Sequence, residues 1–390
     1  IESAKNSINF HALSPIFVPM ENLLVHALEL THFKNHRASS WLFNPKVNII
    51  SGNNGNGKTN VLDALHYLSL TKSYLNTTDA QNITHGESMA LLKAKLERKG
   101  NEHVLDLGLK KGQKKKVRLD GKEIDRLADH VGYMPVVMIT PMDRDLIIDA
   151  AETRRKLMDT TVSQNDKQYL NALMAYNRAL TQRNTTLKYF ASNRTYDAEM
   201  IGLYNDQLAQ NAAIIFEARK SFAAELLPLL THYYQFLSGG KETVGVRYKS
   251  TLHESSMQDL LAENEAKDRV LQYTSSGTHR DDLVFHLGEH PIKRVGSQGQ
   301  QKSFLIALKL AQFEITKRHL GMPPLLLLDD IFDKLDEGRV ANLLSLVHTE
   351  EFGQIFITDT HPERMLELSE NLQLNHSTFE ITDDGEIQSL

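Results

Sequence analysis

Three clusters of residues have the types and spacing to do chemistry. Gly52-Asn53-Asn54-Gly55-Asn56-Gly57-Lys58-Thr59 follows the Gly-x-x-x-x-Gly-Lys-Thr pattern of a phosphate-binding loop. Glycines let backbone N–H groups turn inward on phosphate oxygens, and a helix start behind them adds partial positive charge. Lys58 is placed to reach the β and γ phosphates of a nucleotide and the Thr59 hydroxyl to ligate Mg²⁺; with Asn60, residues 52–60 form the candidate ATP site. The second cluster is Leu325-Leu326-Leu327-Leu328-Asp329-Asp330, an apolar run ending in paired carboxylates. Asp329 suits Mg²⁺ held through water, and Asp330 suits orienting or deprotonating an attacking water. Taken alone, such a pair serves equally as a helix cap; the phosphate loop upstream tips the balance toward chemistry. The third is Gly296-Ser297-Gln298-Gly299-Gln300-Gln301-Lys302, set before an apolar-periodic helix, where Ser297 is an N-cap or an anion-binding group.

The elements that must position these clusters follow from periodicity. Residues 24–30 and 47–50 read as strands, the glycine-rich turn follows, and a helix is predicted over 58–70. Residues 91–96, 104–109 and 117–119 alternate as an antiparallel sheet, and 135–139 is a buried strand. From 150 to 236 the texture is helical, with Leu173, Leu180 and Leu187 seven apart and a polar break at Ser192-Asn193-Arg194. The second helix of this hairpin carries Leu203, Leu208, Ile215, Phe222 and Leu226, and Pro228 is expected to kink or end it. Strands return at 244–248 and 283–287, and 325–328 and 355–357 read as buried parallel strands flanking a helix over 339–347. The fold class expected is therefore α/β: a head with a mixed sheet, formed by residues 22–150 and 239–390, interrupted by a helical arm over 151–238. Residues 1–21 are read as an N-terminal extension without assigned function.

Composition bounds the function. The chain has 390 residues, 41% hydrophobic and 24% charged, as expected for a globular protein large enough for an inserted domain. It has no cysteine, which excludes disulfides, thiolate metal sites and cysteine catalysis and is compatible with a cytoplasmic location. No run approaches the roughly 18 apolar residues of a membrane span, so no membrane partner is expected. The net charge of −5 hides a local basic cluster of Lys110, Lys111, Lys114, Lys115, Lys116, Arg118 and Lys122 around a predicted hairpin. That cluster is either a DNA-phosphate surface or a solvated hairpin tip. Arg154, Arg155 and Lys156 at the arm's root offer a second DNA candidate, or ion pairs with Asp149 or Glu152. His32 and His36 have ligand-like spacing but no third ligand, so no zinc is expected.

Set before the paired aspartates, Ser297 and Gly299 resemble the signature of ABC ATPases, which addresses the γ-phosphate held by the other subunit's phosphate loop. Gln300 lies in the same stretch, and Leu335-Asp336 would be the D-loop at that interface. The segments Leu30-Thr31-His32-Phe33-Lys34-Asn35-His36-Arg37, Thr153-Arg154-Arg155-Lys156, Gly277-Thr278-His279-Arg280-Asp281-Asp282-Leu283 and Ser297-Gln298-Gly299-Gln300-Gln301-Lys302, in this order, are similar to the RecF family. The resemblance runs from about residue 24 to the end. It implies a RecF/SMC/Rad50-type head, an ATP-sandwiched homodimer, weak DNA-stimulated ATP hydrolysis, and work with RecO and RecR to load RecA at single-stranded gaps. Three positions depart from the wider ABC pattern: Asp330 stands for a longer glutamate, Asp359 for a switch histidine, and Pro141-Met142-Asp143 for a Q-loop without its glutamine. Slow turnover is the expectation. His361 lies nearby in the wrong register and reads first as a helix-start residue. A transporter nucleotide-binding subunit and an SMC-like tether are the rival readings, the first disfavoured by the helical arm and the second by the arm's short length.

Overall fold

The computed structural model describes residues 22–240, 242–331, 337–347, 349, 351–360 and 375–389. The expectations for residues 1–21, Asp336 and His361 lie outside the described residues.

The chain opens with an antiparallel hairpin, β1 (Leu23–Phe33) and β2 (His36–Leu42), followed by β3 (Val47–Gly52) and α1 (Lys58–Leu70). Next come β4 (Met89–Arg98), β5 (Asn101–Lys110), β6 (Lys116–Leu119) and β7 (Lys122–Glu123), then the short helix α2 (Leu127–His130) and β8 (Val136–Ile139). After a single turn, α3 (Asp145–Ile148), three helices form the arm: α4 (Ala151–Asn165), α5 (Lys167–Asn193) and α6 (Ala198–Ser238). The last part comprises β9 (Val244–Lys249), α7 (Met257–Glu263), α8 (Glu265–Leu271), β10 (Asp282–Leu287), β11 (His290–Pro291) and α9 (Ile292–Val295). It ends with α10 (Gln298–Leu320), β12 (Leu325–Asp329), α11 (Glu337–Val347), β13 (Ile355–Asp359), β14 (His376–Ile381) and β15 (Ile387–Ser389).

Among the described residues three sheets form, ordered β2-β1-β4-β5-β6-β7, β11-β10-β9 and β15-β14-β3-β13-β12-β8. In the last, every pairing is parallel except β14 with β15. The near-continuous apolar runs of its strands are what burial on both faces requires. Side chains alternate across it. Ile50, Leu325, Leu327 and Phe356 join α1 and the inner face of the antiparallel sheet in one core. Ile49, Leu326, Leu328, Ile355 and Ile357 join α10 and the arm helices in a second. Helix α1 is thus sandwiched between two sheets, which explains why ten of its 13 residues are buried. Because β3, β12 and β13 run parallel, the phosphate loop, Asp329 and Thr358 emerge at the same sheet edge, the carboxyl edge where ligands bind in open α/β sheets.

Two local features shape the arm. Arg194 takes a left-handed conformation (φ 52°) that closes α5, and Asp197 caps α6 by accepting from Met200 N at 3.0 Å. A small cluster of Leu187, Phe190 and Ile201 packs the tip. Pro228 does not end α6, which runs 41 residues. Leu226, Leu229, Leu230, Tyr233 and Tyr234 are buried on both sides of the proline, in the core that α10 shares. At about 1.5–3 kcal/mol for each such side chain, their burial outweighs the roughly 3 kcal/mol an interior proline costs.

Candidate nucleotide site

The site grows out of the end of β3. Gly52 has φ 141°, and a Cβ there would lie 2.5 Å from the Ile381 carbonyl oxygen on the neighbouring β14, so only glycine allows the strand to turn. Gly57, the residue before α1, has φ 103°, and a Cβ would fall within 3 Å of Asn35 and His36. Those two side chains occupy the space instead. Asn35 Nδ2 donates to Gly55 O at 3.1 Å, and its Oδ1 accepts from Asn60 Nδ2 at 2.7 Å. His36 Nε2 meets Gly57 O at 3.2 Å, and burial holds its pKa below the ordinary value. From the other side, Asn53 and Asn56 both donate to Asp383 Oδ1, at 2.9 and 3.0 Å, and Asn56 also to Ile381 O. The loop is clamped between the β1–β2 turn and the end of β14.

A cavity of about 200 Å³ lies over it, lined by Asn54, Gly55, Gly57, Lys58, Thr59, Asn60, Asp329, Asp330 and Thr358. Lys58 Nζ donates to the loop carbonyls of Gly52 (2.6 Å) and Asn53 (3.0 Å). Burial holds its pKa below the ordinary lysine value, a shift that the nearby carboxylates of Asp330, Asp329 and Asp359 oppose. Thr59 Oγ1 donates to Asp329 Oδ1 at 2.7 Å, and Thr358 Oγ1 donates to the same oxygen at 2.8 Å. Burial raises the Asp329 pKa, which these hydroxyls lower again. A hydroxyl and a carboxylate meeting at one point is the all-oxygen donor set that Mg²⁺ takes together with nucleotide phosphates, so the residues fit that ion. Asp330 borders the same cavity on a left-handed backbone, φ 46°, fixed by its N–H donating to Thr358 O and Oγ1 at 3.2 and 3.1 Å.

Ser297, Gly299 and Gln300 are not among the residues lining this cavity. Ser297 caps α10 in a capping box: Ser297 Oγ accepts from Gln300 N at 3.3 Å, and Gln300 Oε1 accepts from Ser297 N at 2.6 Å. A Cβ on Gly299 would press on Arg339 Nη1 at 2.9 Å. Asp359 is buried at the end of β13. Asp143 is not among the residues lining the cavity; it forms a buried ion pair with Lys309 of α10 (2.7 Å) and accepts from Tyr74 Oη at 2.5 Å. Asn35 was legible only as part of the segment 30–37 and His36 otherwise only by its spacing from His32; neither signal announced a clamp.

The basic cluster divides. Lys110, Lys111, Lys114, Lys116, Arg118 and Lys122 are exposed. Lys115 turns inward, donating to Thr71 O at 2.5 Å and to Asp79 Oδ1 at 3.0 Å, and Lys116 pairs with Glu123 at 3.0 Å. At the arm's root, Arg154 makes a two-pronged pair with Asp282 (2.7 and 3.0 Å) and Arg155 donates to Asp281 O at 2.7 Å. Arg154 and Arg155 thus find Asp282 and the Asp281 carbonyl, because Asp281 and Asp282 lead into β10, which packs against α4, while Glu152 acts on Arg155 through its charge.

A profile of the RecF/RecN/SMC N-terminal domain family matches residues 24–381. The chain is 49% identical over 354 residues to the DNA replication and repair protein RecF of Flavobacterium johnsoniae, covering 91% of this chain and 98% of that one. It is 41% identical to the protein of the same name from Phocaeicola vulgatus, with 94% and 98% covered. A solved structure of the recombination mediator protein RecF with ATP superimposes with a TM-score of 0.85 at 24% identity over 95% of this chain and 98% of that one. An Smc head domain from Pyrococcus furiosus gives 0.55 at 15% identity over 94% of this chain and 96% of that one. The P-loop head, its mixed parallel sheet and these matches along nearly the whole chain lead to one conclusion: the chain belongs to the RecF family of DNA replication and repair proteins, within the ABC-type ATPases.

Proposed function

We propose that this chain is an ATP-dependent DNA-binding protein of recombinational repair, in which two copies close around ATP and Mg²⁺ on DNA beside a single-strand gap. In this reading Lys58 and residues 52–60 bind the phosphates, Thr59 and Asp329 hold Mg²⁺, and Asp330 positions the attacking water. Ser297, Gly299, Gln300 and Asp336 of a second copy complete the site. Slow hydrolysis releases the DNA, and RecO and RecR act with the dimer in loading RecA.

The observation that carries the reading is the half-built cavity. Its residues supply loop, lysine, hydroxyl and carboxylates from one chain, while the helix start at Ser297, with its own N–H groups and a hydroxyl, stands outside it. A helix start is a ready anion site, and in trans a nucleotide phosphate would take over the N–H groups of Ser297 and Gln300 that the capping box satisfies within one chain. The test is fluorescence anisotropy of labelled gapped and plain duplex DNA with and without Mg-ATP, comparing the parent with Lys58→Met and Ser297→Arg. Tight binding that needs ATP and is lost in both variants is expected. Binding indifferent to nucleotide, or a Ser297→Arg protein that still dimerises normally with ATP, overturns it.

A further inference from the structure

The antiparallel sheet offers two surfaces to a polyanion, its open face and the end where β5 turns into β6. The open face is charge-balanced. One cross-strand row reads Glu29, Lys93, Asp106, Arg118, Glu123, each directly opposite the next, so the signs alternate over five strands. In this row Arg118 stands opposite Asp106 and Glu123, Glu123 pairs with Lys116, and Lys115 is turned inward. What this end of the sheet offers a ligand is the turn itself, Lys110, Lys111 and Lys114, all exposed; Lys122 lies beyond the opposite end of β6, near Asp120. Its shape is set by Gln113 N donating to Lys110 O and Lys111 N donating to Ser88 O, at 3.1 and 3.0 Å.

Lys115 joins this turn to α1. Its ammonium donates to the carbonyl of Thr71, the residue that closes α1, and to Asp79 and Tyr67 Oη, and it lies 5.2 Å from the centre of the Tyr67 ring. A cation on the last carbonyls of a helix is favoured by the helix dipole. Lys72, exposed, is the next residue along. The same 13-residue helix, about 20 Å long, therefore starts at the phosphate loop and ends against the basic turn.

We propose that the phosphate backbone of DNA docks at the C-terminal end of α1 on Lys72, Lys110, Lys111 and Lys114, with Lys115 the positioning residue that fixes this patch to the helix bearing the phosphate loop. The proposal rests on the DNA-binding reading above and narrows it: three of the seven clustered cations contact DNA, Lys72 joins them, and Lys115 acts without touching it. The measurement is anisotropy of labelled duplex DNA binding to the full chain with and without Mg-ATP across a salt series, for the parent, Lys111→Gln/Lys114→Gln, Lys115→Met and Lys115→Arg. Losing two phosphate contacts flattens the slope of log affinity against log salt by about 1.8, at about 0.9 per contact. Lys115→Met keeps the parent slope but loses roughly tenfold of the affinity gained with ATP, and Lys115→Arg restores it. An unchanged slope in the double variant overturns the patch. A flattened slope in Lys115→Met, or an intact ATP-dependent gain, overturns the positioning role. A parent chain that binds no DNA with or without ATP overturns the DNA-binding reading itself.

Discussion

The phosphate cavity and the root of the arm are both built from buried or half-buried charges, but they dispose of them in opposite ways. At the root, Arg219 is 2% exposed and donates to Asp159, Asp281 and the Thr278 carbonyl, while Arg154 is matched prong for prong by Asp282. In the cavity, Lys58 rests on two carbonyls, and Asp329 accepts from two hydroxyls. Charges that answer one another inside the chain hold a fold together; charges left facing a void are waiting for a ligand.

The comparison breaks if the two regions respond alike to losing a charge. The largest effect is expected from Arg219→Met, which strands Asp281 and Asp159 without their partner. Stability should fall by about 3–5 kcal/mol, as when one member of a buried pair is removed, read from the urea midpoint. Lys58→Met should do the reverse: ATP turnover falls by roughly 10²–10³-fold, the scale of losing one aimed electrostatic donor, while the urea midpoint stays close to the parent's. Asp330→Asn keeps the shape and removes the base, so turnover should drop about 10²-fold with nucleotide affinity retained. A variant that hydrolyses ATP as fast as the parent removes Asp330 from that role. The smallest effect concerns His36. Burial lowers its folded pKa, so the unfolded chain takes up the proton first; stability is whole above about 6.5 and declines as the pH falls below it. His36→Gln should shrink that decline between pH 7.5 and about 5.5, the lower limit being well under the ordinary histidine value, in a series of thermal melts.

What could be read from the sequence divides along the same line. Contiguous motifs were legible because backbone geometry alone dictates them: the loop at 52–59 requires glycines at fixed offsets, and the helix predicted over 58–70 is the observed α1. The apolar runs at 325–328 and 355–357 were legible as buried parallel strands because only burial on both faces tolerates them. The order β3-β13-β12 was not, since strand neighbours are set by packing between distant segments. Nor were the pairings Arg154 with Asp282 and Lys115 with Thr71 and Asp79, where a charge run near one acid finds another that the fold brings closer. Of the two outcomes expected at Pro228, a kink or an end, the helix does not end there, because that local rule is outweighed by the side chains buried around it.

The left-handed backbone at Asp330 limits what mutation can do there. Aspartate and asparagine are among the few side chains that adopt this conformation readily, and a longer acid is disfavoured in it. Exchanging Asp330 for the longer carboxylate would therefore mean reshaping the turn that Thr358 pins, two changes in separate strands instead of one codon. On the role proposed for Asp330, the pace of the ATP cycle is in that sense inherited through a backbone angle, and variants selected for speed should appear first at position 358, with 330 following.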